Sequence, residues 1–144
     1  GEKPADISLT PNGWPILPKA FEQTLLTVAR QYSLPIYVLE NGFGGKDAPD
    51  PDGKVRDPER IAFIRAYIGA MDTAVANGAD IRGYFVWSLL DNFEWDAGYS
   101  VRFGLTYIDY ANQRRVPKSS FVWYRDLIKA AHADDKKLYV SERR

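Results

Sequence analysis

Glu40 stands at the end of an uninterrupted apolar run, Ile36-Tyr37-Val38-Leu39, and Asn41-Gly42 turns the chain away directly after it. A short run of that kind reads as a strand buried on both faces, as in a parallel sheet. In parallel α/β folds the C-terminal ends of the strands carry the chemistry. The pattern recurs further on, where Tyr84-Phe85-Val86-Trp87-Ser88-Leu89-Leu90 leads into Asp91-Asn92-Phe93-Glu94-Trp95-Asp96. Burial of an unpaired carboxylate is costly, so Glu40 is a candidate for a paired role; the competing reading is a strand-end acid that caps a turn. Asp91, Glu94 and Asp96 form a second acidic group. Two carboxylates opposed across a cleft are what hydrolysis of a glycosidic bond requires: one attacks the sugar carbon or activates water, and the other protonates the leaving oxygen. Trp87 and Trp95 fit the same chemistry, because indoles pack on the apolar faces of sugars and donate an N–H. The alternative for this stretch is an aromatic-rich end of a core. By residue type alone, Glu94 suits either a catalytic or a sugar-binding role.

Other chemistries find little support. Lys+Arg and Asp+Glu balance at 19 each, so no overall field draws the chain to nucleic acid or an acidic membrane. Without cysteine there is no disulfide, thiolate metal site or thiol nucleophile. No apolar run approaches the roughly 20 residues of a membrane span, and no signal peptide is visible; the expected location is cytoplasmic. His132 is the only histidine. It is expected on the surface of the last helix, which leaves no Ser-His-Asp triad or His-based zinc site. Gly42-Phe43-Gly44-Gly45 lacks the lysine and spacing of a phosphate loop. Asp50, Asp52, Gly53 and Glu59 approximate a calcium loop, but Ala48 occupies the first ligand position and Pro49 and Pro51 stiffen the segment. A solvated loop is the preferred reading, and neither metal nor cofactor is expected.

The elements that must position these residues alternate along the chain. Residues 1–15 read as an irregular lead-in. Pro18 opens a helix with Phe21, Leu25, Val28 and Tyr32 at helical spacing, ended by Ser33-Leu34-Pro35. Asp57-Pro58 reads as an N-cap followed by proline at the first helical position. Ile61, Ile64, Ile68, Met71 and Val75 then form one apolar stripe, and Asn77-Gly78 stops the helix. After the second strand, a hairpin is expected over residues 103–116 around Ala111-Asn112-Gln113. Ser119 or Ser120 caps a last helix with Phe121, Tyr124, Leu127, Ile128 and Ala131 inward. From Asp134 the tail is charged and reads as frayed, apart from Leu138-Tyr139-Val140. With 45% hydrophobic residues the chain has ample material for a core. The order helix, strand, helix, strand, hairpin, helix argues for parallel βα units and an α/β fold.

At the strand ends the sequence resembles a known family. Tyr37-Val38-Leu39-Glu40-Asn41-Gly42 is similar to the Thr-Glu-Asn-Gly nucleophile motif of family 1 glycoside hydrolases, the β-glucosidase family. The stretch from Arg82 to Trp95 resembles that family's other signature almost residue for residue. Gly98-Tyr99-Ser100, Arg102-Phe103-Gly104-Leu105 and Arg115-Val116-Pro117-Lys118-Ser119-Ser120 continue the likeness, which runs from about Asn12 to Ala130. The resemblance implies the closing strands of a (β/α)₈ TIM barrel and a retaining mechanism without metal or cofactor. On it, Glu40 is the nucleophile, Trp87 lies under the sugar, Glu94 and Trp95 bind its hydroxyls, and Phe103 packs beside the pocket. In the family's phospho-glycosidase branch the position of Glu94 is typically serine, so Glu94 implies an unphosphorylated glycone.

Leu39 replaces the usual threonine before the nucleophile, and Val101 stands where a basic residue is common. A barrel takes about 250 residues, against 144 here. The family's acid/base glutamate, in an Asn-Glu-Pro motif, is missing, as are its earlier sugar-binding Gln, His and Asn. Residues 1–144 are therefore expected to be the C-terminal segment of one barrel domain, with barrel elements in 16–131 and a tail in 132–144. The start at Gly1 suggests a cleaved or excised segment. Expected partners are a β-glucoside and either the preceding barrel segment as a second chain or another copy of this one. The rival readings are a non-catalytic carbohydrate-binding or assembly piece and a structural fragment with no sugar site.

Overall fold

The computed structural model describes residues 7–141, with side chains over 7–132. Helix α1 (Pro18–Tyr32) leads into strand β1 (Ile36–Asn41), helix α2 (Pro58–Ala76) and strand β2 (Ile81–Val86). A short hairpin, β3 (Thr106–Ile108) and β4 (Arg115–Pro117), precedes helix α3 (Ser119–Ser141). β1 and β2 pair in parallel, with Tyr37 opposite Gly83 and Val38 opposite Tyr84. Since a parallel pair needs a crossover, α2 lies between them in the chain. β3 and β4 pair antiparallel, Tyr107 opposite Val116.

The helices cover one face of the parallel pair. Val38 packs there with Leu25, Ala74 and Ala79, while Phe43, Phe63, Ile64, Tyr67 and Leu105 form a second cluster. Pro18 starts α1 as expected, but no side chain caps it. The phenol oxygen of Tyr67 instead accepts the Leu17 N–H at 3.0 Å, tying the start of α1 to α2.

Five expectations need correction. The strands are not buried on both faces: Tyr37 is 52% exposed, Leu39 70% and Phe85 54%. The parallel sheet has only these two strands among the described residues. One face and the outer edges therefore lack the neighbours that a closed barrel supplies. The stripe on α2 is also displaced. Its buried line is Arg60, Phe63, Ile64, Tyr67, Ala70 and Ala74, whereas Val75 is exposed, because α1 and α3 flank the helix and select a face centred one position earlier. Asp57 makes no cap bond to its own helix; its carboxylate serves α3 instead. Finally, α3 continues to Ser141 where fraying was expected, as its run of Ala, Lys and Leu favours helix. Leu127 and Ile128 on that helix are exposed, against the inward placement expected for them. Residues 142–144 of the tail and 1–6 of the lead-in lie outside the described residues.

Candidate functional site

The strand ends open into a cleft of about 640 Å³ lined by Glu40, Trp87, Glu94, Trp95 and Phe103, together with Thr10, Trp14, Asn41 and Asn92. Glu40, Trp87, Glu94, Trp95 and Phe103 therefore meet in one place. The approach of the two strand ends depends on Gly42, where a Cβ would sit 2.0 Å from the Trp87 carbonyl oxygen. Just before it, the Asn41 carbonyl accepts the Trp87 N–H at 2.9 Å. Asn41 also accepts from the Tyr84 phenol at 2.7 Å. Burial, followed by the neighbouring Tyr124 and Tyr67, pushes the pKa of Tyr84 well up. The phenol thus remains a donor and fixes the amide beside Glu40.

Glu40 is exposed toward the cleft. Among the described residues no hydrogen bond or ion pair engages its carboxylate. Past β2, Ser88 donates to the Leu90 carbonyl at 2.8 Å and accepts from the Asn92 amide at 3.0 Å. This knot bends the chain so that Trp87 and Glu94 line one wall. The Glu94 N–H then donates to the Gly98 carbonyl at 2.7 Å, closing a loop around the 3₁₀ turn Trp95–Ala97. At its tip Trp95 is 82% exposed, a flat aromatic surface offered to solvent. Phe103 is buried, and Trp14 tilts over it with ring centres 5.5 Å apart.

Trp14 was missed in the sequence. The stretch Pro11-Asn12-Gly13-Trp14-Pro15 reads as an irregular lead-in, yet Thr10 organises it by accepting the Trp14 N–H at 3.0 Å and donating to Asn12 at 2.6 Å. An indole inside a tight turn of otherwise small and polar residues was the available signal.

Asp91 corrects another expectation. It does not join Glu94 in the cleft but is buried, accepting from Arg102 at 2.7 Å, Lys118 at 2.8 Å and the Gly104 N–H at 2.9 Å. A Cβ on Gly104 would lie 2.1 Å from the Asp91 backbone nitrogen, so glycine is required for this approach. Asp96 is exposed and does not line the cleft. Around Asp91 extends a network of Asp47, Asp57, Arg60, Arg102 and Lys118, balanced in charge. Arg60 donates to Asp57 at 2.7 Å, Asp47 at 2.6 Å and the Arg102 carbonyl at 2.7 Å. Asp57 in turn accepts the Ser120 N–H at 2.9 Å and its hydroxyl at 2.5 Å, satisfying the start of α3 from a distant loop. Burial and then the Arg60 guanidinium lower the pKa of Lys118, outweighing the carboxylates of Asp47 and Asp91.

The acids of the near-calcium loop are engaged by a cation: Arg56 donates to Asp50 at 2.5 Å and to Asp52 at 2.7 Å. Among the described residues no cluster of His, Cys, Asp or Glu is arranged to hold a metal ion, and no helix is long and apolar enough to cross a membrane.

Comparison with known proteins gives consistent matches over most of the chain. The profile of glycosyl hydrolase family 1 matches residues 2–133. The chain is 43% identical over 131 residues to beta-glucosidase A of Thermotoga maritima, covering 90% of this chain and 29% of that protein. It is 39% identical over 125 residues to a 6-phospho-beta-galactosidase of Staphylococcus haemolyticus, covering 85% of this chain and 27% of that one. The crystallised family 1 β-glucosidase of Thermotoga maritima in complex with isofagomine lactam superposes with a TM-score of 0.84 at 42% identity, over 88% of this chain and 29% of that one. The chain thus spans about a third or less of the length of the curated relatives it matches, and the shared part consists of βα units of their TIM barrel.

Proposed function

The chain belongs to glycosyl hydrolase family 1, and on that premise we propose that it carries the nucleophile and part of the glycone pocket of a retaining β-glycosidase, most simply a β-glucosidase. The Glu40 carboxylate attacks the anomeric carbon as the aglycone oxygen departs with a proton, leaving a glycosyl ester. Water then cleaves that ester and restores the carboxylate. The acid that protonates the leaving oxygen belongs, on this reading, to the portion of the barrel that relatives have and this chain does not span. Trp87 supports the sugar ring, Glu94 and Trp95 hydrogen-bond its hydroxyls, and Phe103, backed by Trp14, closes the pocket. Carboxylate chemistry of this kind calls for no metal or cofactor.

The observation that carries the reading is the shared cleft: an exposed carboxylate, unpartnered among the described residues, shares it with three indoles and a second carboxylate. Among the described residues its lining includes Glu40 and Glu94 but no Lys, Arg or His. Such a cleft repels a sugar phosphate and accepts hydrogen bonds from neutral hydroxyls. We therefore assign the glycone as an unphosphorylated glucoside, fucoside or galactoside. Rates on an aryl β-glucoside and its 6-phosphate test this directly, and faster cleavage of the phosphate would reverse the assignment.

The open strand edges and the exposed Tyr37, Leu39 and Phe85 favour a second statement. Residues 1–144 by themselves form an incomplete site that requires the remaining barrel segment, in the same polypeptide or as a second chain. Failing that, the open sheet covers itself by self-association. Alone, the chain serves as a carbohydrate-contacting or structural piece. Turnover by residues 1–144 without any addition would overturn this.

A further inference from the structure

The cleft is built from two loops, one leaving Glu40 and one carrying Trp87 to Trp95, and they are held together behind the cleft rather than inside it. Gly45 and Arg102 exchange backbone hydrogen bonds at 2.9 Å in both directions. Beyond that bridge, the ammonium of Lys118 lies 2.6 Å from Asp47, on the first loop, and 2.8 Å from Asp91, on the second. Lys118 is wholly buried, and its own N–H donates to the Leu105 carbonyl at 2.9 Å. It does not line the cleft.

We propose that Lys118 is a positioning residue: its ammonium draws Asp47 and Asp91 together and so sets the spacing between the nucleophile loop and the tryptophan loop. Arg60 also reaches Asp47 and the Arg102 carbonyl, but its other nitrogen is held by Asp57 and it touches no carboxylate on the tryptophan loop. Lys118 is the side chain that joins a carboxylate on each loop through one atom. Without its charge Asp47 and Asp91 face each other buried and partly unpaired, and repulsion drives the loops apart. A displacement of about 1 Å at a reacting centre costs on the order of 10²-fold in rate. The inference uses the glycosidase reading only to give that displacement a kinetic consequence.

The test separates the two ideas. Residues 1–144 are labelled with 5-fluorotryptophan, and resonances are assigned by single Trp→Phe variants. Lys118→Met should shift or broaden the Trp87 and Trp95 signals while leaving Trp123, on α3, in place. Should Lys118→Met fail to fold, Asp47→Asn cuts the same tie while leaving Lys118 paired with Asp91, and the same pair of signals should move. In the complete barrel, the surviving variant should lower kcat by tenfold or more with a smaller change in KM. Unmoved Trp87 and Trp95 signals, or equal movement at Trp123, would overturn the proposal and leave lysine a general stabiliser. An inactive wild-type barrel with the selective shift intact would instead remove the glycosidase reading and keep the clamp.

Discussion

Glu40, at the end of β1, and Asp91, in the loop after β2, are carboxylates at the same end of the two parallel strands, and they have opposite fates. Glu40 stands in the open cleft, with no partner for its carboxylate among the described residues, whereas Asp91 is 4% exposed and held by Arg102, Lys118 and the amide of Gly104. Both follow an apolar run at what would be the same end of a barrel. What separates them is the number of donors that the surrounding loops bring. A carboxylate surrounded by cations and amides has its lone pairs engaged and none left for a substrate. One without such partners can act as a nucleophile. The comparison teaches that position at a strand end nominates a residue, and that its partners assign it to chemistry or to scaffold.

Exchanging the two acids for amides should break the comparison most sharply. In the complete barrel, Glu40→Gln should reduce hydrolysis of an aryl β-glucoside to background with melting unchanged. Asp91→Asn should instead destabilise by about 3–5 kcal/mol, since it leaves buried cations short of a partner. That loss corresponds to a melting decrease on the order of 10 °C. A stable Asp91→Asn protein, or an active Glu40→Gln one, would erase the distinction.

The covered and open faces of the sheet offer the next test. Residues 1–144 alone should self-associate in light scattering and lack measurable turnover, because general acid assistance worth about 10²–10⁴-fold is missing. Adding the preceding barrel segment should restore both a defined stoichiometry and activity. A monodisperse monomer that turns over substrate would contradict the proposed dependence.

Within the cleft, Trp95→Ala should raise KM by roughly tenfold, the loss of about 1 kcal/mol of aromatic contact and a hydrogen bond. Stability should not change, since the indole is almost fully exposed. The smallest effect is expected in the acidic loop. The hydrogen bond from Arg56, with that from the Lys54 amide, holds the pKa of Asp52 down at about 2. A carboxyl more acidic when folded than its ordinary 3.8 adds stability that is present above that value and lost as pH falls through about 2. Asp52 is exposed, however, so salt screens the pair. Asp52→Asn should leave the melting temperature unchanged at neutral pH and flatten only the most acidic part of its pH profile.

Much of this was legible in the sequence because it is local. Pro18 and Pro58 mark helix starts, Asn77-Gly78 marks a stop and the apolar run before Glu40 marks a strand, all within a residue or two of their expected places; the second strand, expected over 84–90, lies earlier at Ile81–Val86, because Ser88 and Asn92 knot the chain into a bend past Trp87. The cleft was legible because loops at strand ends converge whenever the strands pair in parallel. What escaped is long-range. Lys118 and Asp47 meet although 71 positions separate them, and no periodicity announces that contact. Asp57 looks like a cap for the helix that follows it, yet it caps the helix 63 positions on, at Ser120. The exposure of Tyr37 and Leu39 escaped for a different reason, since alternation reports the environment for which a strand is suited. These strands are suited to an enclosed sheet, and within residues 7–132 only one face is covered.

The most direct test of the account is chemical capture of the nucleophile. The complete barrel is incubated with an activated 2-deoxy-2-fluoro-β-glucoside, whose fluorine slows hydrolysis of the glycosyl ester, and is then digested and sequenced by mass spectrometry. One fluoroglucosyl group is expected, on Glu40, and none in the Glu40→Gln variant. A label on Glu94 or Asp96, or stoichiometric labelling that survives Glu40→Gln, would contradict it.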